Sequence, residues 1–108
     1  MAYYDEDKVF SEQIRDTNVK TSIESKSGEF LAKTIFIENG LNQAVTLQLQ
    51  GARNAVWLNV GIPFVVNAST NIYETVSDFF PKYRMTAQCS IAPTTGVLDV
   101  YLIKAHGG

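Results

Sequence analysis

Histidine, cysteine and proline are nearly missing from this chain. Its 108 residues include one His, one Cys and three Pro. A single cysteine excludes an intrachain disulfide. Cys89 falls at an inward position of an alternating pattern, where it reads as a small buried hydrophobe and not as a reactive thiolate. The one histidine, His106, stands beside Gly107 and Gly108. Ser-His-Asp triads, Cys-His pairs and His-rich metal sites all need histidine held in fixed geometry. A phosphate loop and the G-x-G-x-x-G pattern are absent. The sequence therefore predicts no enzyme, no cofactor and no metal site. Charge is also scarce, at 19% of residues with a net of −2. Nine scattered bases among eleven acids make no clustered basic face, so no nucleic-acid partner is expected. No apolar run reaches membrane-spanning length, so no membrane insertion is expected. The start, Met1-Ala2-Tyr3-Tyr4-Asp5-Glu6-Asp7, is polar and acidic and has no secretory signal peptide, which predicts synthesis in the cytoplasm.

What is present is alternation. Leu31-Ala32-Lys33-Thr34-Ile35-Phe36-Ile37-Glu38 is rich in β-formers. After Asn39-Gly40-Leu41-Asn42-Gln43, Val45, Leu47 and Leu49 alternate with Thr46, Gln48 and Gln50, which predicts a hairpin with one apolar face. Gly51-Ala52-Arg53-Asn54 reads as the next turn. Val56–Val60 reads as a short strand ended by Gly61 and Pro63, and 64–66 and 71–76 as two more. Tyr83, Met85, Ala87, Cys89 and Ile91 alternate with polar residues. A turn at Ala92-Pro93-Thr94-Thr95-Gly96 follows, and then Leu98, Val100 and Leu102 alternate again, which predicts a second hairpin. Val19, Thr21 and Ile23 form a weaker strand, and 9–15 reads as either a helical turn or an extended arm. About eight short strands with turns roughly every ten residues predict an all-β fold, an antiparallel β-sandwich of jelly-roll-like or immunoglobulin-like topology.

Acidic residues crowd the front of the chain. Residues 1–30 hold seven acids and four bases, and the remainder holds four acids and five bases. This divides the chain into an N-terminal arm, 1–17, and a sandwich domain, 18–108. Tyr3, Tyr4, Val9, Phe10 and Ile14 are the apolar anchors by which such an arm would lie along a neighbouring subunit through strand addition. Its deletion is expected to break assembly and spare the fold. Tyr101 and Ile103 share the strand face opposite Leu98, Val100 and Leu102, and an apolar outward face invites a partner. Trp57 reads first as core. With Tyr73 it also offers a ligand-binding surface suited to sugar stacking. A Glu74–Asp78 carboxylate pair reads as solvated acids, with no room for a deep cleft.

The segment Tyr83-Arg84-Met85-Thr86-Ala87-Gln88-Cys89-Ser90-Ile91-Ala92-Pro93-Thr94-Thr95-Gly96-Val97-Leu98-Asp99-Val100-Tyr101-Leu102 resembles the C-terminal hairpin of small β-sandwich structural proteins of phages, prophages and archaeal viruses. Lys33-Thr34-Ile35-Phe36-Ile37-Glu38-Asn39-Gly40-Leu41-Asn42-Gln43, followed by Val45-Thr46-Leu47-Gln48, is similar to their earlier hairpin. The resemblance implies a non-enzymatic structural subunit of a virus-like particle or filament (capsid decoration, tail or fibre), located in the virion. Its partners would be copies of itself and other virion proteins. The alternative is a carbohydrate-binding or cell-surface-binding module with a glycan partner.

Overall fold

The computed structural model describes residues 4–26, 32–76 and 80–105; the side chains of residues 4, 5, 32 and 105 are outside the description. Nine strands occur among them: β1 (Tyr4–Glu12), β2 (Lys20–Thr21), β3 (Ser25–Lys26), β4 (Ala32–Asn39), β5 (Val45–Arg53), β6 (Val56–Val66), β7 (Thr70–Val76), β8 (Lys82–Gln88) and β9 (Leu98–Ala105). They form two antiparallel sheets. One has the order β1-β9-β4-β7, and the other β2-β8-β5-β6, with β3 also on β8. β2 and β3 are thus two halves of one interrupted edge strand. Counted that way, the fold is an eight-stranded jelly roll with four strands in each sheet, which decides between the two expected topologies.

Most of the alternating residues face inward as expected; Ile91 is exposed, because β8 ends at Gln88 before the period reaches it. Ile35, Ile37, Val45, Leu47, Met85, Ala87, Leu98, Val100 and Leu102 are buried between the sheets. Each of these Val, Leu, Ile and Met side chains contributes about 1.5–3 kcal/mol relative to exposure, and the Ala87 methyl less.

The partners of these strands differ from expectation. The two predicted hairpins, 31–50 and 83–103, are not hairpins. β4 pairs with β7 and β9, whereas β5 pairs with β6 and β8. Both turns are corners that carry the chain from one sheet to the other. Asn39, fully buried, holds the first corner: its Nδ2 donates to the carbonyls of Gln43, Val66 and Asn67, and its Oδ1 accepts from the Leu41 N–H. The second corner packs on the first. Gly40 N–H donates to Val97 O at 2.9 Å, and Asn42 clasps Thr94 through its side chain in both directions. Gly96 has φ +93°, and a Cβ there would collide with the Gly40 carbonyl, so glycine is required on both conformational and steric grounds.

β5 and β6 do form a hairpin, but its turn is Asn54-Ala55, both with positive φ. That is the geometry of a two-residue turn matched to strand twist. Gly51–Arg53, expected as turn, belong to β5.

The front of the chain also differs from the expected arm. Residues 4–12 pair along β9 as an edge strand. Val9, Phe10 and Ile14, expected as anchors on a neighbour, lie in this chain's own core. A bulge between Lys8 and Phe10 turns two consecutive apolar side chains inward. Arg15 then ties the following loop to the second corner by donating to Gly96 O. Deletion of 1–17 would therefore open the core, and is not the clean assembly test that the sequence suggested.

Candidate functional site

The two ends of each sheet lie on two sides of the sandwich. β1 and the β2/β3 edge share one side, where Ile23 N–H reaches Val9 O at 3.4 Å. β6 and β7 share the other.

The β1/β2/β3 side is closed by packing and by charge. Lys104, only 5% exposed, donates to Asp7 Oδ2 at 2.7 Å, to Lys26 O at 2.9 Å and to Ser25 Oγ at 3.4 Å. Ser25 Oγ donates to the same Asp7 oxygen at 2.6 Å. The bond from Lys104, then that from Ser25, holds the Asp7 carboxyl below the usual carboxylate range. This joins β1, β3 and β9. Lys33 faces inward across from Lys104. Its ammonium lies 5.5 Å from the Tyr83 ring centre, and burial pushes its pKa down.

The β6/β7 side is open. Opposite Leu47 and Leu49, β6 spends extra residues in a bulge at Gly61–Pro63, with Gly61 at φ +72°. The Gln48 amide fills that bulge, donating to Leu49 O, Val60 O and Gly61 O. β6 bends away and leaves a cleft of about 360 Å³ between the sheets, lined by Ile35, Leu49, Val60, Ile62, Phe64 and Val76. Glu74 lies at its mouth. Sequence reading took Gly61 and Pro63 as the end of a strand. A glycine and a proline inside a β-forming run are also the signature of a bulge, and that reading would have found the cleft.

Across all eleven residues β6 carries no charged side chain. Val56, Leu58, Ile62 and Val65 on it are exposed, as is Tyr73 on β7. Edge strands are ordinarily protected by charge. Of the eight large exposed hydrophobic residues among those described, these five mark one side; Val19 and Ile23 mark the other.

The predicted ligand residues separate. Trp57 is half-buried on the outer face of its sheet and not in the core; the Arg84 guanidinium stacks 4.1 Å from its ring centre. Gln50 and Asn59 continue that polar surface: Arg84 Nε donates to Gln50, and Gln50 to Asn59. Tyr73 is on the outer face of the other sheet, so the two rings cannot hold one ligand between them. Tyr101 and Ile103 do face outward, half-buried. Tyr73, Phe36, Tyr101 and Lys8 form one cross-strand row, with Lys8 Nζ 5.6 Å from the Tyr101 ring and 3.2 Å from Asp99. Tyr3, Asp78 and His106 lie outside the described residues, as does the Tyr4 side chain.

Cys89 is fully buried, and burial first, with the Asp16 charge second, raises its thiol pKa. Among the described residues no three His, Cys, Asp or Glu side chains come together as metal ligands. Among the described residues the surface offers edge strands, a cleft and an aromatic row.

No protein family's sequence pattern matches this chain, and no curated protein matches it by sequence. Solved structures do match its fold. A crystal structure of PirA aligns over 98% of this chain and 95% of its own, with a TM-score of 0.52 at 18% identity. A protein of the Bacillus endospore appendages, described as a family of disulfide-linked pili, aligns over 99% of this chain and 92% of its own, with a TM-score of 0.62 at 13% identity. The chain is similar to both as an all-β, two-sheet fold.

Proposed function

We propose that this chain is a non-catalytic structural subunit that assembles with copies of itself, edge to edge, into a filament or particle. The observation that carries the reading is the parity of the sheets. Each contains four antiparallel strands, so β7 runs opposite to β1, and β6 opposite to β2 and β3. A copy displaced sideways, with no rotation, sets its β1 antiparallel to β7 and its β2/β3 edge antiparallel to β6. Both sheets then continue across the junction, and open backbone groups on each side gain partners. The contact is head-to-tail, and such contacts extend into open arrays. Strand twist turns the displacement into a screw, which favours a helical filament. The same displacement brings the next copy's Lys8 alongside Tyr73, as Lys8 already lies alongside Tyr101 within one chain.

The likeness to a pilus protein supports a filament, and the resemblance to phage and archaeal virus proteins supports a virion. That pilus family is described as disulfide-linked. Here the one cysteine is buried in the core, so strand pairing and packing hold the assembly proposed.

The test is the weight-average mass by light scattering across a concentration series, with negative-stain microscopy of the same samples. Mass that rises with concentration, with threads one sandwich wide, is the expected result. Val65→Lys, which puts a charge on the β6 edge, should suppress it. A clean monomer at every concentration would sink the reading.

A further inference from the structure

Among the described residues, the cleft between β6 and β7 is lined mainly by apolar side chains, with Glu74 and Thr75 beside them. Ile23, on the opposite side of the sandwich, is 64% exposed. It sits where the edge strand is interrupted between β2 and β3. There Ser22 takes over the pairing: its N–H donates to Met85 O, and its hydroxyl accepts from Met85 N–H, each at 2.8 Å. Ile23 N–H turns toward Val9 O in the other sheet. Ile23 therefore stands in the gap between the two sheet edges and belongs to neither.

Its height along the sandwich is set by Ser22, which fixes it to the Met85 row. Met85 is paired with Leu49, and Leu49 with Val60. Leu49 and Val60 are walls of the cleft. Ser22 thus ends the cross-strand row whose other end walls the cleft, and exposed Ile23 is the next residue. A sideways displacement that continues the sheets carries Ile23 onto the cleft. We infer that the cleft is the receptor for Ile23 of the next copy, a knob-in-hole contact that sets the register of the assembly.

This inference rests on the self-assembly reading above and adds the contact that fixes it. Edge pairing alone tolerates slippage along the strands, because backbone hydrogen bonds repeat every two residues. An aliphatic side chain in a single apolar cavity does not repeat. Seven of the eight exposed large hydrophobic residues among those described also gather at these two opposite edges, Ile91 being the eighth, where scattered ones would need no partner.

The experiment uses the full chain. Ile23→Asp and Ile23→Leu are compared with the parent by light scattering and circular dichroism. Separately, Ile23→Cys protein is mixed with Ile62→Cys protein under mild oxidation. Ile62 is 84% exposed at the rim of the cleft. The expected result is loss of assembly in Ile23→Asp with an unchanged spectrum, and retention in Ile23→Leu. Crosslinked dimers should form in the mixture and not in either variant alone. If Ile23→Asp assembles as the parent does and the mixture gives no crosslink, the knob is wrong and self-assembly stands. If the parent is monomeric throughout, both fall together.

Discussion

Replacing Asn39 tests the corner that makes this fold a jelly roll. Its amide lies fully buried, serving the carbonyls of Gln43, Val66 and Asn67 at 3.2, 3.2 and 3.0 Å, and its oxygen takes the Leu41 N–H at 3.1 Å. Asn39→Ala leaves that N–H and these carbonyls without the amide. An unsatisfied buried donor costs about 1–3 kcal/mol, and the loss of the bond to the buried Val66 carbonyl about 0.5–1.5 kcal/mol, with less for the part-buried Gln43 and Asn67 carbonyls. The total is about 3–5 kcal/mol, a large part of the roughly 5–15 kcal/mol that holds a domain together. At about 4 °C or more per kcal/mol, the midpoint should fall by some 15 °C. Asn39→Asp separates geometry from charge. Its carboxylate still accepts from Leu41 but points its charge at three carbonyl oxygens, so its folded pKa is raised above the unfolded value. A raised carboxyl pKa means that the folded state holds the proton more tightly. The variant is then least stable at neutral pH and regains stability as pH falls. Urea titrations followed by circular dichroism, at one low protein concentration, give both numbers. An Asn39→Ala loss under about 1 kcal/mol would refute the reasoning.

Two further predictions follow from the interior. Asp7→Asn removes the carboxylate that the buried Lys104 ammonium meets at 2.7 Å and should cost about 1–2 kcal/mol at neutral pH, less than for a fully buried pair because Asp7 is partly exposed. The Asp7 pKa is lowered in the fold, so its contribution is present above the unfolded carboxylate value and lost as pH falls through the folded one. Urea titrations of parent and variant should therefore begin to approach each other near the ordinary carboxylate range and converge only below the lower folded value, and a gap that persists there would count against the pair. Cys89 should react with a thiol reagent in urea and hardly at all in the native state, since burial both hides it and raises its pKa. Fast native labelling would contradict the buried placement.

The alternating residues by themselves determined much of this protein. Leu98, Val100 and Leu102 face in and Tyr101 and Ile103 face out, because a strand side chain has two directions and burial selects one. Corners fell where Asn39-Gly40 and Pro93–Gly96 interrupt the pattern, because glycine and short polar side chains accept backbone geometries that others avoid. The period failed at Val9 and Phe10, where a bulge puts neighbours on one face, and at Gly61–Pro63, where another opens the cleft. It also gave no sign that Trp57 lies outside, since flanking aliphatics look the same beside a core residue and beside an edge one. Which strand pairs with which was decided only by the tertiary structure. Backbone hydrogen bonds join strands without regard to side-chain identity, so a turn between two alternating segments reads alike whether it closes a hairpin or carries the chain across to the opposite sheet. That choice made β6 and β7 neighbours at one side of the sandwich and set Ile23 and the cleft on opposite sides of it.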